Sequence, residues 1–505
     1  MYLRAGVLSL GLLILSRVLG LLRESAQAAA FGSTGLGDAV IVMFTLPDLL
    51  VGVLFSGALS YVLLPLWATQ EAGQVQRSQK KVASLLVLSG LLLGLAIWLC
   101  RRVLSQALAP GLQGALQALG ANSLIWSAAV LPLAMLAALW VTRLQHERDF
   151  VGMYAGNLLV NVVLVGALFF AARTGAVPGV PTITLLGCSL VVAMLARLAW
   201  LRWRLPVAPC PVNLKLDAGL PKASIWAWAA LSSGLLLLLP LIGRSLASQA
   251  GEGALAVFNY AWKLVELPLV LAIQLVASLA FPAITRTQEG STERLKALQV
   301  SFALAWALAC AAISVVATFS GSLARLLFGW GRMGPEGLAL IAQWSAAGIW
   351  SLLPQALIAV VLTVMAISHQ MHVAVWTYAA GIAALLLVGW SGALAVNGIG
   401  PVDGAAVMWA LDAVLAAVAL VLLLHQRSKL RGALSATGLL APLAVCMVLV
   451  ACRPSVSSLN IWATAGLAAL FSVMVTGAAV LASPPLRSMA QTLVKRVTRR
   501  KAIQR

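Results

Sequence analysis

The residues of this chain that could do chemistry are ionisable side chains set inside long apolar runs. Arg17 interrupts the first run, which ends on Arg23-Glu24; Asp38 opens the second, which Leu46-Pro47-Asp48 breaks. Arg244 and Lys263 recur in the same manner later, with Glu266 one helical turn after Lys263 on the same face. A charge at the bilayer centre costs about 3 kcal/mol on insertion scales, so such groups usually face a bundle interior or a wet cavity. Proline within a spanning helix frees a carbonyl and kinks the helix, and protein or water must then satisfy that carbonyl. Fixed cations gathered in a low-dielectric cavity suit a multiply charged anion, phosphate above all, which arginine grips bidentately. On this reading Arg17, Arg23, Arg244 and Lys263 bind substrate, while Glu24, Asp38 and Glu266 are cavity acids or gating groups. Other roles stay open: the same charges could pair only to hold the bundle, and Arg17 and Arg23 could snorkel from helix ends. The cations outnumber their candidate partners, which favours the cavity. Asp412, alone in its segment, is either an ion-coupling site for a cation or proton or a hydrogen-bonding group to a neighbouring helix. Asn157 and Asn161 read as interhelical hydrogen-bonding groups.

No enzyme constellation accompanies these charges. His146, His369, His372 and His425 sit at the edges of apolar runs, no HExxH motif or acidic cluster occurs, and no metal site is expected. No Walker A sequence is present, and the run from Gly32 to Gly37 lacks the strand-then-helix context of a phosphate loop. The chain is therefore expected to be no enzyme and to carry no cofactor. Cys100, Cys188, Cys210, Cys310, Cys446 and Cys452 form no CxxC pair and read as small packing residues.

The elements that must position the charged groups are spanning helices. The chain has 505 residues, 62% hydrophobic and 10% charged, with a mean hydropathy of +0.99. So little polar surface could not cover a soluble fold of this size. About fourteen apolar segments are long enough to cross a bilayer, 38–67 and 336–367 among the longest. The expected class is an all-α polytopic membrane protein with about 14 transmembrane helices. The net charge of +20 would suggest nucleic acid in a soluble protein; here loop bias and attraction to anionic lipid account for it. With a cytoplasmic N-terminus, the inside connections hold clusters such as Arg77, Lys80 and Lys81, or Arg427, Lys429 and Arg431. The outside ones hold only Arg23, Arg101, Arg102, Arg173, Arg325, Arg332 and Arg453. That asymmetry places both termini in the cytoplasm. The first apolar stretch lacks a small-residue cleavage site and is not expected to be a cleavable signal.

An internal repeat orders these segments. Arg23 precedes Leu46-Pro47 by the interval that separates Arg244 from Leu267-Pro268. Each Leu-Pro is followed by another proline, Pro65 or Pro282, and then by Gln70-Glu71 or Gln288-Glu289. The series predicts two pseudo-symmetric six-helix lobes, 1–205 and 222–425, around a central cavity, with a cytoplasmic linker at 206–221. A C-terminal helix pair at 426–484 and a basic cytoplasmic tail at 485–505 complete the expected layout.

At these residues the chain resembles the MurJ/MviN lipid II flippases of the MOP exporter superfamily. The resemblance rests on Ser16-Arg17-Val18-Leu19-Gly20 with Arg23, on Asp38-Ala39, and on Leu46-Pro47 followed by Gly57-Ala58-Leu59-Ser60 and Pro65. It continues through Gln145 to Phe150, Asn161, Arg244 to Ser248, and Asn259 to Leu264 with Pro268. It implies a V-shaped cavity that takes the pyrophosphate-sugar head of a polyprenyl lipid, while the tail stays in lipid along the last two helices. Cations matching Arg17, Arg23 and Lys263, and an acid matching Asp38, are the functional residues it carries over. It also implies a bacterial inner-membrane protein moving an undecaprenyl-pyrophosphate-linked saccharide, lipid II first, to the periplasmic leaflet for peptidoglycan synthesis and cell shape. Membrane potential or a cation gradient would drive it, alongside membrane lipids and cell-wall or polysaccharide synthesis proteins as partners. The chain departs from the pattern where the family commonly has arginine (Val51-Gly52), an acid (Ser56) and, before Arg244, aspartate (Gly243). Fewer charges suit an exopolysaccharide or O-antigen lipid as the alternative substrate; a non-transporting scaffold of a glycan-assembly complex is the more distant one.

Overall fold

The computed structural model describes residues 2–54, 58–173, 180–206, 220–274, 276, 280, 284, 287, 291–368, 370–396, 400–452 and 461–492. Ser56, Gly57, Cys210, Pro282, Gln288, Glu289, His369, most of the 206–221 linker and the tail from 493 onward lie outside the described residues. Those described form seventeen α-helices. They are α1 (Tyr2–Phe31), α2 (Gly35–Val53), α3 (Leu59–Ala68), α4 (Ala72–Leu99), α5 (Arg101–Leu108) and α6 (Gly114–His146). Next come α7 (Phe150–Arg173), α8 (Val180–Arg204), α9 (Ala223–Ala247), α10 (Ala254–Pro268), α11 (Thr292–Phe328) and α12 (Pro335–Gly348). The last are α13 (Leu352–Ile367), α14 (Met371–Trp390), α15 (Gly404–His425), α16 (Ala436–Ala451) and α17 (Ile461–Ala482). Among the described residues the extended pairing amounts to one antiparallel bridge, Ala395 with Val402.

Among the described residues, twelve spans are long and apolar enough to cross a membrane, the α12–α13 stretch being one of them. The remaining two of the expected fourteen correspond to α1 and to α16, an apolar helix of 16 residues. This is a multi-pass membrane protein. Large apolar side chains such as Leu88, Leu92, Phe169, Leu387 and Val473 stand exposed along these helices, as lipid-facing surfaces require.

Local chemistry sets the helix limits. Gly32 turns the chain at φ +61° after α1, and the Thr34 hydroxyl accepts from the Gly37 N–H to start α2. The Glu71 N–H donates to the Gln74 side chain in a capping box that opens α4. Proline leaves its mark in both halves of the chain. α2 contains Pro47 and runs into π-helical backbone at Leu54; α10 ends on Pro268 and passes directly into a π-helical turn, Leu269–Ile273.

The chain divides into two compact units. The first comprises Met1–Tyr260, Leu327–Gly337 and Gly392–Gly404. At its centre the 33-residue α6 packs against α2, α4 and α8, while α7 packs against α1 and α8. Gly90 and Gly94 bring α4 onto α6, where an added Cβ would lie 2.7 Å from the Pro132 Cα or the Ala128 carbonyl oxygen. The α6–α7 turn is tied to the end of α8 by a two-bond fork: Arg204 Nε and Nη2 each donate to Asp149 at 2.8 Å. Burial pushes the Asp149 carboxyl up, but the Arg204 fork and the Gly152 N–H outweigh it and hold it below the usual carboxylate range. Its contribution is thus full above the unfolded value of about 3.9 and is lost as pH falls through the lower folded value. Arg204→Gln should lower stability at neutral pH by less than about 1 kcal/mol at this partly exposed pair, and with it the melting temperature slightly. In detergent melts the gap to wild type should close as the medium is acidified below about pH 4.

The second unit comprises Ala261–Leu326, Leu338–Ser391 and Ala405–Arg505. Within it Trp306 of α11 donates to the Leu439 carbonyl at 2.9 Å, and Phe319 packs on Phe471 of α17 at 5.4 Å between ring centroids. α16 and α17 pack against each other. A 3₁₀ turn, Ile349–Ser351, interrupts the α12–α13 span. Cys310 and Cys446 are buried free thiols, and Cys100, Cys188 and Cys452 are exposed free thiols.

Candidate functional site

The first unit gathers a polar network on four apolar helices. α1 contributes Arg23 and Glu24. The short turn from Phe31 to Gly35 folds α2 back alongside, so Arg23 lies level with Phe44 and Asp48. The Arg23 guanidinium sits 5.5 Å from the Phe44 ring centroid, and its Nη2 donates to Glu24 Oε1 at 2.9 Å and Asp48 Oδ2 at 3.3 Å. Glu24 is buried and also accepts from Asn259 Nδ2 of α10 at 2.8 Å. Asn259 in turn accepts through Oδ1 from Arg244 Nη1 of α9 at 2.9 Å, and Arg244 Nη2 donates to Thr45 Oγ1 of α2 at 3.0 Å. One amide thus links an acid of α1 to a cation of α9. Such a chain in a low-dielectric surround is strong when satisfied and costly when cut.

Asp38 has a different set of partners. Its two carboxylate oxygens accept backbone N–H groups at the start of α10, from Gly253 at 2.8 Å and Ala256 at 2.8 Å. The first turn of a helix presents unpaired N–H donors and a positive dipole end, so a carboxylate there is stabilising. Glu252 reciprocates: its Oε1 accepts from the Gly35 N–H at the start of α2 at 3.0 Å. Gly253 makes the approach possible. It takes φ +80°, and a Cβ there would lie 2.2 Å from the Ser33 carbonyl oxygen.

The other sequence-derived candidates fall as follows. Arg17 is exposed on α1, within electrostatic reach of Tyr154 on α7, and its neighbour Ser16 accepts from Asn157 Nδ2 at 2.8 Å. Lys263 and Glu266 belong to the second unit, where Lys263 Nζ donates to Glu266 Oε2 at 2.7 Å, the one-turn pair their spacing predicts. Asp412 is buried on α15 of the second unit, facing the backbone at Ser351 where the 3₁₀ turn breaks the α12–α13 span. Sequence reasoning did not assign Asp48, Thr45, Glu252 or Asn259 to the site. The hairpin register of α1 and α2 is the signal that points to Asp48, and Asn259 lies in a stretch that carries the family resemblance; nothing in the pattern announces Thr45 or Glu252. Among the described residues no group of three or more His, Cys, Asp or Glu side chains is placed to hold a metal ion.

The fold resembles an inward-facing multidrug resistance MATE family transporter of the MOP superfamily, with a TM-score of 0.66 at 12% identity over 83% of this chain and 95% of that one. It also resembles a lipid II flippase MurJ in an inward closed conformation, with a TM-score of 0.74 at 14% identity over 93% of this chain and 98% of that one. The fold is therefore that of the MOP-superfamily transporters. The family model described as "Lipid II flippase MurJ" matches residues 27–482, and the chain belongs to that family, one of transporters rather than catalysts. A curated relative, the probable lipid II flippase MurJ of Rhizobium tropici, is 26% identical over 284 residues, which are 54% of this chain and 53% of the relative. The match thus spans about half the length of that relative.

Proposed function

We propose that this chain is a flippase that moves an undecaprenyl-pyrophosphate-linked saccharide, lipid II, from the cytoplasmic to the periplasmic leaflet by alternating access. The observation that carries the reading is the Arg23–Glu24–Asn259–Arg244–Thr45 network, a cation-bearing polar path inside lipid-compatible helices of a lipid II flippase family member. Arg17, Arg23, Arg244 and Lys263 engage the diphosphate, Glu24 and Glu266 balance the cations between transport events, and Asp38 acts as a gating group. Asp412 is the ion-coupling candidate, with membrane potential or a cation gradient as the driving force. The repeats at 1–205 and 222–425 are the moving bodies, linked at 206–221, with the 426–484 pair beside them and the basic tail at 485–505 held at anionic lipid. Location in the bacterial inner membrane with both termini cytoplasmic fits the Lys and Arg asymmetry. Cell-wall synthesis proteins are the partners this role needs.

The test is complementation of a bacterial strain depleted of its own lipid II flippase. Rescue of growth and shape by the wild-type chain is the expected result. A chain that inserts in the membrane yet fails to rescue would remove lipid II as the substrate and leave an exopolysaccharide or O-antigen lipid in its place.

A further inference from the structure

Arg197 lies on α8, which no part of the network above includes. It is 6% exposed, within a helix long and apolar enough to cross the membrane. Its stem runs past α7 at Gly156, where an added Cβ would lie 3.5 Å from the Arg197 Cγ. The turns on either side are apolar and buried: Ala193 and Met194 before it, Leu198 and Leu201 after it. Its Nε is buried without a hydrogen-bond partner, and among the described residues no carboxylate lies within ion-pair distance of its guanidinium. The acid within electrostatic reach is Asp48 of α2, which bonds Arg23 and leaves 58% of its side chain exposed.

A buried guanidinium without an ion pair costs several kcal/mol, and an apolar residue of similar volume would make a more stable helix. The neighbouring cations are already engaged, Arg23 with two acids and Arg244 with an amide and a hydroxyl. Arg197 therefore keeps a donor set free for an incoming anion, and the partly exposed Asp48 carboxylate that bonds Arg23 lies within its electrostatic reach. We infer that Arg197 is a further substrate-binding residue, a cation whose free fork takes the second phosphate of a lipid-linked diphosphate beside Arg23 and Asp48. This rests on the flippase reading and adds the feature that would separate diphosphate from monophosphate carriers. In the empty state Asp48 holds the Arg23 charge; when a diphosphate arrives, the two guanidinium groups share its added negative charge.

The test measures binding of undecaprenyl diphosphate and undecaprenyl monophosphate to the purified full chain in nanodiscs, with inorganic pyrophosphate as competitor. Wild type should prefer the diphosphate, and Arg197→Gln should lose roughly tenfold or more of that preference. Arg197→Lys, which keeps charge but not the fork, should fall between them. Inorganic pyrophosphate should compete with the diphosphate lipid in wild type and compete less in Arg197→Gln; equal competition in both would overturn the inference. No diphosphate binding by wild type would overturn the flippase reading and this inference with it. Diphosphate preference equal in wild type and Arg197→Gln would overturn the inference alone. A purely structural Arg197 would show as a lowered melting temperature with the preference unchanged, or as Arg197→Lys no better than Arg197→Gln; either result also overturns it.

Discussion

Asp38→Ala will abolish rescue of a flippase-depleted strain and lower the melting temperature of the purified protein. The carboxylate accepts the Gly253 and Ala256 N–H groups, and Asp38 is itself buried. Alanine leaves both donors without an acceptor in a site closed to water. Each orphaned donor costs about 1–3 kcal/mol, so the loss should be roughly 2–6 kcal/mol. Asp38→Asn keeps one carbonyl oxygen but turns an NH₂ towards the second donor, and it should fall between wild type and alanine. Gly253→Ala is the companion change from the other side of the contact. It forces a side chain onto φ +80° and against the Ser33 carbonyl, so it should destabilise comparably although it removes no charge. If Asp38→Ala melts with wild type, the carboxylate is not holding the two helix starts together. If all three variants melt low and only those at Asp38 lose rescue, the acid has a transport role beyond the contact.

The Asp38 case shows where reading the chain alone stops. Its position at the start of an apolar run marks it as a candidate, but its partners are backbone amides, and an amide has no sequence signature. The Lys263–Glu266 pair is different, because both members lie on one helix and the spacing alone puts them in contact. Asp48 falls between these cases. The Phe31 to Gly35 turn fixes the α1–α2 register, and a long arginine reaches one turn past the residue opposite it. Segment lengths show the same division. Apolar composition marks 336–367 as a span, yet not the 3₁₀ turn at Ile349–Ser351 that splits it, because local backbone geometry answers to packing rather than to hydropathy. Likewise 38–67 reads as one run, yet hydropathy does not announce the π-helical backbone at Leu54 and Ala58 that follows Pro47. Arg197 is visible as a charge in an apolar segment, but only the fold brings it within electrostatic reach of Asp48.

Arg23→Ala will also abolish rescue, and a second substitution can separate its two roles. Removing the guanidinium takes a cation from Glu24, whose side chain is 6% exposed, and from Asp48. Breaking a buried pair by deleting one partner costs about 3–5 kcal/mol, because it strands the other charge. A fall in melting temperature is therefore expected and does not by itself speak to transport. In Arg23→Ala with Glu24→Gln, the stranded charge is gone while the amide still accepts from Asn259, so most of the lost stability should return. On the proposed flippase reading growth should not return, because the diphosphate would still lack this cation. Arg23→Lys should rescue partially: the charge remains, but one ammonium reproduces neither the planar fork nor the stack on Phe44 at 5.5 Å. If the double variant grows like wild type, Arg23 serves only to neutralise Glu24, and the anion path must run through the remaining cations. If it is stable and does not grow, the guanidinium is needed for the cargo itself, since its structural debt has been removed independently.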